Sequence, residues 1–339
     1  MLSGENLPVW IDHMIIFYLI LAYLILLWGW ILFWLLHDTV PKMLAADQNK
    51  LRGTGVTFSD TTDKGAYTVT HSIEDGIERI VYTPKVRQHA TPILMAHGMW
   101  HGAWCWQSWQ EILAEKGWES VAYSLPGHGK SPTQRSLTTC TLGYYLAFVR
   151  DEIERLPVRP VLMGHSMGGA LSQWTLRYIT QELPAVVLVA PWVSHSAVSD
   201  TYAMVNLFRD DLPGILMMFY KLNADSWVRT PEKAAQKLLS KDAVVSPEEL
   251  HRQLNGESAL VIFQHNPPFW KPAENVKTPV LVLAGERDAV VSVKKLRETA
   301  AHYQADLKVI PGAAHNLMME KSCRETAESI DVWLSARHL

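Results

Sequence analysis

From Met14 to Leu36 the chain reads MIIFYLILAYLILLWGWILFWLL, 23 residues without a charge. At about 1.5 Å of rise per residue this makes roughly 35 Å of helix, enough to cross a hydrocarbon layer about 30 Å thick with some tilt. It lacks the polar stripe of a helix that lays one face on a soluble core. A cleavable signal peptide needs a basic start and a shorter apolar run, and residues 1–13 contain neither Lys nor Arg. Residues 14–36 therefore read as a permanent single-pass transmembrane helix. Whatever the rest of the chain folds into is held at a membrane.

Trp10 ahead of the run, and Trp28, Trp30 and Trp34 near its far end, suit the two interfaces. The amino flank carries Glu5 and Asp12, the carboxyl flank Lys42, Lys50 and Arg52. Positive residues stay in the cytoplasm, so the large domain is expected on the cytoplasmic side. The three scattered cysteines, Cys105, Cys140 and Cys323, make neither a disulfide framework nor a zinc ribbon and suit a reducing compartment. The 31 Lys+Arg against 34 Asp+Glu give a net charge of -3, which argues against nucleic acid as a partner.

Residues 37–55 read as a short connector. Beyond them, short apolar or β-branched runs alternate with helix-length stretches. Strands are expected at Arg79–Tyr82, Pro92–Ala96, Ser120–Ser124, Val161–Met163, Ala185–Ala190, Val280–Ala284 and Leu307–Ile310. Several are continuously apolar and end in Gly or Pro, as in parallel strands covered on both faces. Helices are expected at Trp106–Lys116, Leu142–Arg155, Gly169–Gln181 and Val293–Tyr303. The alternation points to an α/β domain over residues 55–339. Between the strands near Ala190 and Val280 lie about 90 residues, too many for a simple loop. Apolar clusters at Tyr202–Phe208 and Leu212–Leu222, and helical patterns at Pro231–Ser240 and Pro247–Leu254, make residues 192–275 a helical insertion, placed to act as a cap.

The segment Val161-Leu162-Met163-Gly164-His165-Ser166-Met167-Gly168-Gly169 holds G-x-S-x-G between a strand and a helix. Such a turn pushes the Ser oxygen out of the sheet, with Gly164 and Gly168 keeping side chains out of its way. Ser166 is the candidate nucleophile. A serine hydroxyl needs a base to take its proton and a third group to orient that base. One later strand ends in Gly285-Glu286-Arg287-Asp288 and another leads to His315. All three groups sit at carboxyl ends of strands, where the sites of open α/β sheets collect. Glu286 and Asp288 both remain open as the acid, with Asp288, further out in the loop, preferred.

An oxyanion needs fixed backbone donors. The Met167 N–H directly follows the nucleophile, and the loop His97-Gly98-Met99-Trp100-His101 follows an early strand, which makes Met99 the second candidate. Trp100 is the candidate pocket wall, while Trp104 and Trp106 are expected to pack on the next helix. His165 and His128 are expected to be structural. His97 and His101, at i, i+4 in a loop without convergent partners, do not make a metal site. No metal cluster or phosphate-binding glycine loop is found, so no metal or cofactor is required.

Taken together, the HG-x-W loop, LPGHGKS, GHSMGG, GERDAVVS and GAAHN, in that order over residues 78–336, resemble the α/β-hydrolase superfamily. HGMWHGAWCW is similar to the corresponding loop of methylesterase and hydroxynitrile-lyase relatives, and GHSMGG followed by a cap looks like monoacylglycerol-lipase-type enzymes. The resemblance implies an α/β-hydrolase fold with a mostly parallel sheet, Ser166 as nucleophile, Asp288 as acid, His315 as base, and Met99 and Met167 as N–H donors. A serine at the elbow argues against the aspartate-dependent epoxide hydrolases and dehalogenases of the fold. The expected function is hydrolysis of carboxylic esters, the Leu-, Met- and Phe-rich insertion suggesting a lipophilic small-molecule or lipid ester that enters beneath the cap from the bilayer. The alternatives are an acyltransferase or thioesterase with the same triad, and a catalytically silent membrane scaffold.

Overall fold

The computed structural model describes residues 9–46, 55–179 and 182–339. Glu5, Lys50 and Arg52, on which the charge asymmetry partly rests, lie outside them, as does Gln181, the expected end of the helix after Ser166. Six strands carry the parallel part of one sheet: β4 (Ile93–Ala96), β5 (Ser120–Ser124), β6 (Val161–His165), β7 (Val186–Val189), β8 (Val280–Gly285) and β9 (Asp306–Ile310). Every residue of β4 to β8 is buried, which is why several of these strands read as continuous apolar runs. Three antiparallel strands, β1 (Val56–Asp63), β2 (Tyr67–Glu74) and β3 (Ile77–Pro84), extend one edge and give the order β1-β2-β3-β5-β4-β6-β7-β8-β9. The swap of β4 and β5 against chain order marks the crossover that puts β4 beside β6.

Helices cover the sheet: α3 (Gln107–Glu115), α4 (Leu142–Arg155), α5 (Met167–Tyr178), α10 (Val293–Tyr303) and α11 (Cys323–Ser335). Their starts follow local chemistry. The Thr141 hydroxyl accepts from the Tyr144 N–H to begin α4, and Ser292 does the same for Lys295 in α10. α3 packs against α11, and α4 against α5. The helix expected at Gly169 starts two residues earlier, at Met167, so the first-turn N–H groups of α5 lie directly beside Ser166.

Between β7 and β8 lie α6 (Thr201–Lys221), α7 (Pro231–Leu238), α8 (Pro247–Gln253) and α9 (Leu260–Gln264). The two apolar clusters expected there form one helix with a break at Asp211, where φ is -152° and ψ is 48°, two residues ahead of Pro213. The break is pinned from outside the helix by Arg229, whose two terminal nitrogens each donate to the Asp211 carboxylate at 2.7 Å. The Pro-Glu starts of α7 and α8 follow Thr230 and Ser246, whose side chains cap them.

α1 (Val9–His37) contains the apolar run, and its stretch His13–His37, 25 residues, is long and apolar enough to cross a membrane. Met14 to Leu26 is largely exposed, whereas Leu27, Ile31 and Leu35 are buried against the cap residue Leu260, with Phe219, Leu222, Phe263 and Phe269 around them. Residues 37–46 are more than a tether. α2 (Val40–Ala45) packs on α4, and its Val40 and Met43 join the main core. Asp38 is fully buried between them. Its carboxylate accepts from Thr141 Oγ1 at 2.8 Å and from Arg135, and its carbonyl accepts from Gln264 Nε2 at 3.2 Å. A charge buried this way is expensive to break, so the end of α1 is fixed to both the catalytic domain and the cap.

Candidate active site

Ser166 stands between β6 and α5 with φ 52° and ψ -113°, a left-handed conformation costing a non-glycine residue about 1–3 kcal/mol. Sterics force the two glycines of the motif. A Cβ at Gly164 would lie 2.2 Å from the Gly168 carbonyl oxygen, and one at Gly168 would lie 2.1 Å from the Ala96 carbonyl oxygen at the end of β4. The backbone of Ser166 is tied on both sides: its N–H donates to Val189 O at 3.0 Å, and its carbonyl accepts from Ala170 N–H at 3.0 Å. The strained turn is thereby over-determined by β7 and α5.

Asp288 follows β8 and His315 follows β9, and the two side chains meet. His315 Nδ1 lies 2.8 Å from Asp288 Oδ2, with the side chains 2% and 0% exposed. A carboxylate only accepts, so Nδ1 carries the hydrogen. The other carboxylate oxygen, Oδ1, accepts from the N–H groups of Val290 at 2.7 Å and Val291 at 3.0 Å. Glu286, the other open acid, is exposed, and its Oε2 accepts from the Gly312 N–H at 2.8 Å. It fastens a turn rather than meeting the imidazole.

Ser166 and His315 both border a cavity of about 310 Å³ that is also lined by Met99 and Trp100. Most of its remaining wall is apolar, with Trp192, Val193, Ile215, Met218, Phe219 and Phe263 among the lining residues, and Asp200, Arg209, Asp210, Gln236 and Lys237 supply a polar part. Among the described residues no carbonyl or side chain accepts from the Met99 or Met167 N–H. Trp100 has a positive φ of 64° and is held by the cap, since its carbonyl accepts from Asn255 N–H at 2.7 Å. Trp106 is fully buried in the core, and Trp104 stacks on the His101 ring.

Four histidines that the sequence offered only as structural or unpaired turn out to brace this site. His97 Nδ1 donates to Gly98 O at 2.8 Å, and its Nε2 accepts from Leu125 N–H at 3.0 Å. His101 Nδ1 donates to Met99 O at 2.6 Å, while its Nε2 accepts from Asn316 Nδ2 at 3.0 Å. That ring links the loop bearing Met99 to the residue after His315. Burial pushes its pKa down to about 4, so it is neutral, as a ring that must both donate and accept has to be. His165 Nε2 donates to the carbonyl of His315 at 3.2 Å. Burial, followed by repulsion from His315 and His101, holds His165 well below the usual imidazole range. His128 joins core to cap through Nε2, 3.0 Å from the fully buried Glu257. Each of the four rings makes one contact with a residue distant in sequence, at Leu125, Asn316, His315 and Glu257, which is why spacing alone did not reveal them.

Comparison with known proteins agrees with this arrangement. The pattern of the alpha/beta hydrolase family matches residues 93–329. An Arabidopsis thaliana protein assigned as chloroplastic methylesterase 14 is 32% identical over 121 residues, 35% of this chain and 33% of that one. The chain thus spans about a third of the length of that curated relative. The pheophorbidase of Raphanus sativus is 31% identical over 112 residues, 32% of this chain and 42% of that one. Among solved structures, a membrane phospholipase A is similar over 95% of this chain and 98% of its own, with TM-score 0.58 and 20% identity. A monoacylglycerol lipase of Paleococcus ferrophilus is similar over 77% and 99%, with TM-score 0.55 and 22% identity. These two likenesses carry the fold. With the elbow, the strand order and a family match over most of its length, the chain belongs to the alpha/beta hydrolase family.

Proposed function

We propose that the protein is a membrane-anchored serine hydrolase that cleaves lipophilic carboxylic esters through an acyl-enzyme. Residues 14–36 are the anchor, residues 55–339 the hydrolase domain on the cytoplasmic side, and residues 192–275 its cap. Ser166 Oγ attacks the ester carbonyl while His315 Nε2 takes its proton, and Asp288 holds the ring in the tautomer that can do so. The oxyanion is stabilised by the N–H groups of Met99 and Met167. Loss of one such donor costs about 3 kcal/mol of barrier. The alcohol leaves with the proton from His315, and water activated by the same nitrogen releases the acid. Trp100 forms the wall beside the reacting carbonyl.

One observation carries this reading: the Asp288–His315 hydrogen bond belongs to a ring that shares with Ser166 a cavity walled mostly by apolar side chains. The apolar walls support a lipophilic acyl or alcohol group, since water-soluble substrates gain little from them. The test is an ester panel of increasing acyl length, run on the detergent-solubilised full chain with and without added alcohol or thiol acceptors. Hydrolysis that improves with chain length and vanishes in Ser166→Ala is expected. Acyl transfer that outpaces hydrolysis at low acceptor concentration would make the protein an acyltransferase, and a folded chain inert to every ester would leave a scaffold.

A further inference from the structure

Nine residues of α6, Leu212 to Tyr220, carry no charge and are bounded by Asp211 and Lys221. Their inner face is accounted for: Ile215 and Met218 are buried and line the catalytic cavity. Their outer face is also largely apolar and stands exposed among the described residues. Leu216 is 62% and Tyr220 75% exposed, and Leu212, four residues earlier, continues the stripe at 49%. A helix apolar on both sides belongs in a core or in lipid, since soluble proteins rarely leave such a continuous apolar surface in water.

The position of α1 says which. Tyr23 Oη donates to Phe219 O at 3.3 Å, and the Trp28 and Phe263 rings meet edge-to-face at 6.0 Å. Tyr23 lies 13 residues before Leu36, about 20 Å along the span at 1.5 Å per residue. In a hydrocarbon layer about 30 Å thick, side chains touching Tyr23 lie within the lipid, not above it. The nine uncharged residues make about 13 Å of helix, too short to cross and long enough to lie within one leaflet. Phe219 and Phe263 pack on α1 with one part of their surface and line the cavity with another, so a single layer of side chains separates the cavity from the span. The Asp38 knot prevents the domain from swinging away on a loose connector.

We infer that the outer face of α6 is a second membrane contact, embedded among the acyl chains of the leaflet next to the catalytic domain, and that the cavity is loaded sideways from that leaflet between α6 and α9. The substrate is then a carboxylic ester whose acyl chain already lies in the bilayer. This inference rests on the reading of α1 as a membrane anchor and of the cavity as the ester site.

The test uses the full chain with Cys323→Ser, which leaves the buried Cys105 and Cys140, and one added cysteine for a nitroxide label. Leu216→Cys reports the outer face of α6, Leu21→Cys the span, and Val332→Cys, on the exposed side of α11, the aqueous side. In vesicles of phosphatidylcholine and phosphatidylglycerol, the label at 216 should relax more with oxygen than with a water-soluble nickel chelate, as at 21 and opposite to 332. Nickel accessibility at 216 equal to that at 332 overturns the inference while the anchor stands. Nickel accessibility at 21 as well would overturn the anchor itself. Spin–spin broadening at 216 that disappears on dilution with unlabelled protein would assign the face to a second copy, and also overturns it. In activity, Leu216→Glu should hydrolyse a short soluble ester in detergent within twofold of the parent and a vesicle-embedded long-chain ester at least tenfold more slowly. Equal loss on both, or on neither, contradicts lateral loading. A parent chain inactive on all esters would refute the hydrolase reading, with the label data still deciding the embedding.

Discussion

Replacing Asp288 by Asn separates orientation of the imidazole from everything else at the site. In the parent, Asp288 Oδ1 accepts two backbone N–H groups, from Val290 and Val291, and Oδ2 faces His315 Nδ1. An asparagine can satisfy the two amides only with its carbonyl oxygen. The opposite rotamer would set an NH2 against both donors, and each buried unsatisfied group costs about 1–3 kcal/mol. The side-chain nitrogen is therefore turned to His315, where it donates to Nδ1 and drives the hydrogen to Nε2. That nitrogen then donates to the serine instead of taking its proton. A trapped wrong tautomer of this kind costs about 10⁴ in kcat, or about 5.5 kcal/mol of barrier. The assay is kcat and KM on a short ester in detergent, beside circular dichroism to establish folding. Glu286→Gln is the companion variant: its amide oxygen still accepts from Gly312 N–H, and activity should stay within twofold. A folded Asp288→Asn variant with less than tenfold loss, or a thousandfold loss in Glu286→Gln, would refute the assignment of the acid.

Other consequences follow from the same contacts. His101→Phe keeps a ring against Trp104 but removes the bonds to Met99 O and Asn316, so kcat should fall about 10²-fold with KM nearly unchanged, as expected when an oxyanion donor is displaced; an equal effect on KM alone would contradict it. Gly168→Ala would force a Cβ to 2.1 Å from Ala96 O and should cost about 3 kcal/mol of stability by overpacking, measured by denaturant unfolding in detergent. Burial holds His265 down to about 3 against an ordinary 6.5, with Trp174 Nε1 donating to its Nδ1 and its own Nε2 donating to Val193 O. The unfolded chain takes up this proton below pH 6.5 and the folded chain does not, so the stability is complete above pH 6.5 and lost as the pH falls toward 3. His265→Gln can keep both bonds without titrating, so its stability should fall less than the parent's, by about 1 kcal/mol between pH 6 and pH 5; parallel slopes would show that the ring is not held neutral.

The parts of the fold legible in the sequence are those where one physical demand dominates. The strands from β4 to β8 are covered on both faces, so most positions are apolar and the run announces itself, with Ser120, Ser124 and His165 as the polar positions. β1 and β2 have no such demand. VTFSDTTD is exposed along its whole length and YTVTHSIE is only partly covered, so these edge strands carry no apolar period to read. α6 reads as two clusters because the charged residues Arg209, Asp210 and Asp211 interrupt the apolar run, and only the ion pair with Arg229 shows how the break is held. At the site, the elbow was legible because its glycines recur at fixed spacing: Gly164 answers a clash within the five residues, with Gly168 O, and Gly168 answers the approach of Ala96 O from β4. The choice between Glu286 and Asp288 was not fixed by spacing, since both lie in one loop; it rests on which carboxylate the loop turns inward. His101 and His165 act across 215 and 150 residues, contacts that exist only once the sheet has formed. The connector after α1 likewise hid Asp38, whose partners at positions 135 and 141 come from the connection between β5 and α4 and at 264 from α9.

The central claim is that Ser166 is made nucleophilic by His315. The most direct measurement is mass spectrometry of the full chain, in detergent, after reaction with a fluorophosphonate. A single adduct on the peptide carrying Ser166 is expected, formed at least a thousandfold more slowly in His315→Ala and absent in Ser166→Ala. An adduct on another residue, or labelling of Ser166 that is indifferent to His315, would contradict the account.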